Sequence, residues 1–405
     1  MAKSFRKTTY EWTSKPEIVL DNNYGMYVNI PFCKSFCSFC PFYKTKFKPD
    51  IARTYVEQLC SEIEGFNLPG PPKWIYFGGG TPNILSIDQL GRIAGSIKRK
   101  AGFPDAGVEL KPDLLDIKYI EGLAELGFRK ISIGIESLDD EVSDTAKRNP
   151  VNLRKLDLIF SRARSLGLFV NIDLIAGLQN QTAESLFSDL NNLVELNPSQ
   201  ITIYPYMVVR GFNVKPGFPT DVQFDTIEKS WLMLSGRGYH RLSPWTFAKQ
   251  EGEYDCSKAE LVSDYIGFGA GSFSTNKFWK VVNPPVAYYL GQDLNESKAL
   301  TARKDPASDH WRAFGKMISD LNIKHSSDFP PGINAYISWL RLSGYARKGK
   351  LTEKGILLAH HLMKTIVESL PFPLLDHSQI SNAKSFIEDT SEREGLRPGG
   401  LAESA

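Results

Sequence analysis

Short apolar runs of strand length recur through the first half of the chain: "MYVNI" (Met26–Ile30), "KWIYF" (Lys73–Phe77), "GVEL" (Gly107–Leu110), "KISIGI" (Lys130–Ile135), "FVNIDLI" (Phe169–Ile175) and "ITIY" (Ile201–Tyr204). They are rich in β-branched and aromatic residues, which suit a pleated, buried surface. Between them lie longer stretches with apolar residues at helical spacing, such as "DIARTYVEQLCSEIEGF", "SIDQLGRIAGSIKRK", "LRKLDLIFSRARSLG" and "AESLFSDLNNLVEL". Ser86 and Asp88 suit a helix start, and Gly167 suits a helix stop. Strands alternating with helices predict parallel pairing through right-handed crossovers. At about 30 residues per unit, the pattern predicts an α/β fold based on a partial (β/α)6 TIM-type barrel. Such barrels carry their chemistry at the C-terminal ends of the strands. Five features fall there: a three-cysteine loop after the first run, "GGGTP" (Gly78–Pro82) after the second, Glu109, Glu136, and Asp173 near the end of the fifth.

Past about residue 215 the rhythm changes. "DVQFDTIEKSWLMLSGRG" reads as a helix and "YIGFGAGSFS" (Tyr265–Ser274) as a glycine-punctuated turn or strand. "NAYISWLRLSGYARKGKLTEKGILLAHHLMKTIVESL" reads as helix, short basic hairpin, helix, and so as a smaller α+β, winged-helix-like module. The expected division is an N-terminal extension (1–23), the barrel (24–215), a barrel-capping and linker segment (216–300), the C-terminal domain (301–381) and a polar tail (382–405) that should fray.

Charge and composition narrow the function classes. A net charge of +2 leaves no broad basic surface for non-specific nucleic-acid binding. No apolar run reaches the roughly 18 residues of a membrane span, and the N-terminus has no secretory h-region. Five cysteines in 405 residues do not suggest a disulfide framework. A cytoplasmic, reduced setting is expected, where clustered cysteines more often bind metal or take part in catalysis.

Three of those cysteines, Cys33, Cys37 and Cys40, stand at C-x3-C-x2-C spacing in "IPFCKSFCSFCPFYK". Three thiolates can hold three irons of a cubane [4Fe–4S] cluster and leave the fourth open for another ligand. Spacing alone also admits a zinc site completed by Cys60, Cys256 or a distant histidine, or unrelated thiols.

The motifs together resemble a family. C-x3-C-x2-C after a first barrel strand resembles the signature of the radical S-adenosylmethionine (SAM) enzymes. "YVNIPFC", "YFGGGTP", "VELKP", "ISIGIES", "NIDLIAGL", "YIGFGAGSFS" and "LTEKGILLAHHL" are similar, in order, to motifs of the oxygen-independent coproporphyrinogen oxidase-like branch, from about Tyr24 to Leu370. The resemblance implies a cluster whose open iron is chelated by SAM, reductive cleavage to a 5′-deoxyadenosyl radical, a reductant such as flavodoxin or ferredoxin, and a small-molecule substrate.

By position, it implies that Cys33, Cys37 and Cys40 ligate the cluster and that Phe39 packs on the adenine. Tyr27 would lie near SAM, and Gly79, Gly80 and Thr81 would bring bare backbone close to it. Glu109 would meet the SAM amino group, Arg148 a SAM carboxylate and Asp173 a ribose, while Ile175 walls the site. Relatives in this branch can hold a second SAM beside the first.

The sequence also departs from that pattern. True coproporphyrinogen oxidases carry a further cysteine where Phe42 stands here, Glu136 replaces a glutamine beside SAM, the L-P-G-Q-T turn is "LQNQT" (Leu178–Thr182), and Met207 occupies a position expected to be small. The cofactor shell is kept while the substrate-facing parts have drifted. Three readings follow. The favoured one is a two-SAM methylating or cyclopropane-forming enzyme acting on a specialised metabolite. The others are a tetrapyrrole or haem-processing radical SAM enzyme, and a haem-binding chaperone. A haem iron needs an axial ligand; His360 and His361 are candidates, although an adjacent pair on a helix is more often packing or surface.

Overall fold

The computed structural model describes residues 10–208, 215–250, 264–291, 297–304, 308–327, 329 and 331–368. Cys256 and the polar tail lie outside the described residues. Six parallel strands lie side by side in chain order: β1 (Tyr24–Ile30), β2 (Ile75–Gly79), β3 (Ala106–Leu110), β4 (Lys130–Glu136), β5 (Phe169–Ala176) and β6 (Gln200–Pro205). Helices α1 (Pro49–Gly65), α2 (Ile87–Ala101), α3 (Ile117–Glu125), α4 (Asp140–Thr145), α5 (Leu153–Ser165) and α6 (Ala183–Glu195) occupy the crossovers. The strands are covered on both faces, so they read as nearly continuous apolar runs. In β1, Tyr24, Met26, Val28 and Ile30 are fully buried.

Local signals set the helix ends. Ser86 caps α2 in a capping box with Gln89, and Asp88 lies in the first turn, where the helix dipole favours an acid. Helix α5 ends at Ser165, and Gly167 just beyond it takes φ 71°, the left-handed value that a helix stop requires. The short helix α4, capped by Asp139, has no counterpart in the sequence-based expectation.

The main departure from the expected division concerns the segments outside the barrel. A strand at Asp264–Phe268 pairs in parallel with the outer edge of β1. An antiparallel series then continues outward through Phe273–Thr275, Trp279–Val282 and Lys298–Arg303 to Glu11–Ser14. On the opposite side, Thr246–Ala248 pairs antiparallel with β6, followed by His240–Arg241. Among the described residues, the result is one 13-stranded sheet. The expected extension and linker therefore supply strands, and because they occupy the free edges of β1 and β6, those two strands do not pair and the barrel stays open.

The C-terminal module has helices Ser308–Ser319, Pro331–Leu342 and Glu353–Glu368, with the small hairpin Ala346–Arg347/Lys350–Leu351 before the last. Among the described residues, no helix is long and apolar enough to cross a membrane.

Candidate active site

The cysteine loop leaves β1 at its C-terminal end and is held in shape by a two-residue ladder, Phe32–Cys33 beside Thr45–Lys46. Cys33 is buried, and Cys37 and Cys40 are partly exposed. Thr81 Oγ1 lies 3.5 Å from Cys33 Sγ, and Arg148 Nη1 lies 3.8 Å from Cys37 Sγ. Lys44 Nζ donates to the carbonyl of Cys40 at 2.6 Å. Ser38 ties the loop to the end of α4, through its N–H to Ala146 O at 3.2 Å and its hydroxyl to Thr145 O at 3.0 Å. Burial pushes the thiols of Cys33 and Cys40 upward. Lys44 acts against that shift at both thiols and Lys111 at Cys33, while the Thr81 hydroxyl also favours the Cys33 thiolate.

Next to this loop, "GGGTP" ends β2. A Cβ on Gly78 would fall 2.4 Å from the Tyr27 hydroxyl and 3.1 Å from Glu109 Oε2. One on Gly79, which has φ 109°, would meet Asn29 Oδ1 at 2.1 Å. One on Gly80 would strike the Phe32 carbonyl at 2.7 Å. Only bare backbone fits here. Tyr27, whose ring stacks with Tyr76 at 6.3 Å between centroids, and Glu109 thus converge on Gly78, which sequence reasoning had left in the background. Asn83, just past the turn, exchanges two 2.9 Å hydrogen bonds with the Lys111 backbone and locks the turn to the end of β3.

Strands β4 to β6 carry the acidic side of the rim. Glu136 ends β4 in the left-handed region, φ 66°, at a register shift that begins at Gly134. A bulge of this kind re-aims a side chain, and left-handed backbone at a non-glycine residue is costly. Arg148 donates to the Gly134 carbonyl. Loss of solvent pushes Glu136 up to about 7 against the opposing pull of Arg148, with Asp173 adding to the rise. Asp173 stands in the middle of β5, earlier in the strand than its expected place near the end. Its carboxylate accepts from the Ser132 hydroxyl and from Asn171 Nδ2 at 2.9 Å, and Thr202 Oγ1 in turn donates to Asn171 Oδ1 at 3.1 Å. This network across three strands fixes the half-buried carboxylate, whose desolvated side needs such partners. Ser132, Asn171 and Thr202 were not foreseen. The N-x-D spacing on one strand face was the signal available for Asn171.

Phe39 and Ile175 meet in a small apolar cluster with Val142, Leu178 and Tyr206, separate from the main core. The structure thus brings the cysteine loop, the glycine turn, Tyr27, Glu109, Glu136, Arg148, Asp173, Phe39 and Ile175 to one region of the barrel. Phe42 is half exposed, and Met207 packs against the main core. His360 is fully buried elsewhere: Trp245 Nε1 donates to its Nδ1 at 2.8 Å, and its Nε2 donates to Glu228 at 2.7 Å. Both ring nitrogens are engaged, so His360 fastens the C-terminal helix to the barrel and offers no ligand to haem iron; His361 is exposed on the adjacent position.

Residues 27–191 match the profile of the Radical SAM superfamily. The cofactors of that superfamily are a [4Fe–4S] cluster and SAM. Among individual proteins, it is 29% identical over 299 residues to a protein of Bacillus subtilis strain 168 named Heme chaperone HemW, covering 68% of this chain and 77% of that one. It is 28% identical to the oxygen-independent coproporphyrinogen III oxidase of Pseudomonas aeruginosa, over 56% of this chain and 54% of the relative. In fold, it resembles coproporphyrinogen III oxidase (HemN) from Escherichia coli, with a TM-score of 0.71 and 21% identity, covering 84% of this chain and 89% of the other.

The residues present fit these cofactors. Three cysteines on one short loop, Cys33, Cys37 and Cys40, suit a cubane, which takes one cysteine per iron and here keeps its fourth iron open. Desolvation raises the Cys33 and Cys40 thiols, and bound iron would supply the positive charge that favours their thiolates. The glycine turn packs bare backbone directly against Tyr27, Asn29, Phe32 and Glu109, beside the loop.

Proposed function

We propose that this radical SAM enzyme acts on a tetrapyrrole, and that coproporphyrinogen decarboxylation is not its reaction. One observation carries the reading. The superfamily profile ends at residue 191, yet the alignment to the Bacillus subtilis haem chaperone runs over 299 residues. Similarity therefore extends past the residues that the superfamily profile matches. The relatives' names move the weight from methylation of a specialised metabolite to a macrocycle. Phe42 and Glu136, standing where the oxidases have cysteine and glutamine, move it away from their reaction.

In this reading Cys33, Cys37 and Cys40 hold the cluster, and cluster and SAM together supply a hydrogen-abstracting radical. The chain's own residues then bind and orient. Glu109, with Tyr27 over the bare Gly78–Thr81 backbone, receives the SAM ammonium. Arg148 faces the SAM carboxylate. Asp173, clamped by Ser132 and Asn171, receives a ribose hydroxyl. Phe39 and Ile175 enclose the adenine and exclude water together with Val142, Leu178 and Tyr206. Glu136, raised to about 7, can hold a proton beside Arg148 at neutral pH.

Anaerobic reconstitution followed by metal analysis and haem titration tests the proposal. The expected result is about four iron and four sulfide per chain, lost in Cys33→Ala, Cys37→Ala or Cys40→Ala. About one haem per chain should bind with a shifted Soret band, and 5′-deoxyadenosine release should depend on the macrocycle. Zinc in place of iron overturns the cofactor assignment. Absence of haem or porphyrinogen binding, together with label from methyl-labelled SAM in a non-tetrapyrrole product, overturns the substrate assignment in favour of methylation.

A further inference from the structure

His360, Lys364 and Glu368 stand at four-residue spacing on helix Glu353–Glu368, and so on one face of it. His360 fastens the helix to the barrel, but the other two reach a different place. Lys364 is only 5% exposed, and a lysine is almost never so deeply buried unless it is paired. Its Nζ donates to the carbonyl of Tyr206 and lies 3.0 Å from Glu368 Oε1. The same Glu368 oxygen accepts from the Val208 N–H at 2.7 Å. The helix therefore grips the chain at both ends of the stretch from Tyr206 to Val208. That stretch is where β6 leaves the sheet. Its ladder with β5 ends at Pro205 opposite Ala176, and the Tyr206 N–H adds one more bond, to the Ala176 carbonyl at 2.8 Å. The Tyr206 side chain is buried in the apolar cluster that contains Phe39 and Ile175.

A buried ion pair seldom gains stability over apolar packing of the same volume. Fastening alone therefore accounts poorly for Lys364, whereas its reach to one carbonyl fixes the place of one residue. Resting on the adenine placement given above, we propose that Lys364 and Glu368 are positioning residues for SAM. They hold Tyr206 at the exit of β6, in register with Phe39 and Ile175, and so fix the apolar wall that encloses the adenine. Both act through Tyr206 and not on the cofactor itself. Without this clamp, ordering the wall would fall to the ligand, and the entropy lost on binding would weaken its affinity. The C-terminal module thus takes part in cofactor binding, far beyond residue 191 where the superfamily profile ends.

Calorimetry on the full, anaerobically reconstituted chain, with 5′-deoxyadenosine and methionine as separate probes, reads the two ends of SAM independently. Lys364→Met keeps the apolar stem and removes the ammonium, and it leaves Glu368 partly exposed, where water can solvate the carboxylate. It should lower 5′-deoxyadenosine affinity about tenfold and leave methionine affinity and the urea midpoint near wild type. His360→Leu, one turn back on the same face, should do the reverse, with a lower midpoint and 5′-deoxyadenosine affinity kept. If Lys364→Met does not fold, Lys364→Met/Glu368→Gln, which removes both charges of the pair, carries the same expectation. Wild-type 5′-deoxyadenosine affinity in the folded lysine variant, an equal loss at both ends of SAM, or as large a loss in His360→Leu overturns the proposal. Phe39→Ala separates the clamp from the adenine placement beneath it. A loss in Phe39→Ala with none in the lysine variant overturns the clamp alone, whereas no loss in Phe39→Ala overturns the placement and the clamp with it.

Discussion

Two glutamates of the barrel have opposite surroundings. Glu62, on α1, is buried among donors from across the chain. Gly269 N–H and the Tyr289 hydroxyl each reach its Oε2 at 2.8 Å, and Lys15 Nζ and Asn283 Nδ2 reach its Oε1 at 3.0 and 3.1 Å. Tyr55 extends the same junction by donating to the Asn29 carbonyl at 2.6 Å and accepting from Ala270 N–H at 3.0 Å. Glu62 thus locks the turn after the Asp264–Phe268 strand to α1 and β1, beneath the cysteine loop. Glu136 sits on the rim in left-handed backbone, with Arg148 as its charge partner, and is raised to about 7. A carboxylate surrounded by donors fastens the fold, whereas one desolvated and held beside a single cation remains available to a ligand and a proton.

The largest expected effect falls on the fastening side. Glu62→Leu strands Lys15, the Gly269 N–H, Asn283 and Tyr289, and should cost about 3 kcal/mol or more in urea unfolding. A variant of near wild-type stability would erase the contrast. At the seam to the C-terminal module, His360→Leu removes the acceptor for Trp245 and the donor to Glu228, and should cost about 2 kcal/mol. Burial depresses His360 despite Glu228. A depressed histidine binds its proton more readily when unfolded, so stability at this seam is lost as pH falls below about 6.5. His360→Leu should remove that loss from the pH–stability profile.

On the rim the effects move from stability to binding. Gly78→Ala pushes against Tyr27 and Glu109 and should weaken SAM binding about tenfold, or about 1.4 kcal/mol, with little change in the denaturation midpoint. A variant that loses stability and keeps SAM affinity would make the turn merely structural. The smallest stability effect is expected for Glu136→Gln, within about 1 kcal/mol of wild type at neutral pH. In the ligand-free chain, a raised carboxylate holds its proton longer when folded, so stability falls as pH rises from the ordinary value of 4.5 to about 7 and stays lower above it. Glu136→Gln should flatten that slope; an unchanged slope would assign the raised group elsewhere.

Much of this was legible because it is local. Strand and helix alternation, Ser86 as a cap, Gly167 as a stop and the cysteine spacing each depend on residues a few positions apart. The rim followed from chirality, since parallel strands with helical crossovers bring every strand end to the same side. Even the substrate-facing departures at Phe42 and Glu136 could be read before the fold, although they pointed first to methylation and not to the tetrapyrrole reading that the relatives support.

The tertiary structure alone decided what depends on distant pairing. Glu11–Ser14 joins Lys298–Arg303, and Asp264–Phe268 joins β1, across gaps of more than 200 residues that no local pattern encodes. Glu62 reads in sequence as one more polar residue on an amphipathic helix, and its donors meet only when the sheet closes over α1. The bulge that turns Glu136 toward Arg148 is likewise a register event between two strands. Residue order by itself determined which chemistry this chain carries and on which side of the barrel it lies. Packing decided which carboxylate became a fastener, which became part of the site, and that the barrel would stay open, because those outcomes depend on which donors, solvent and strand edges surround each group after folding.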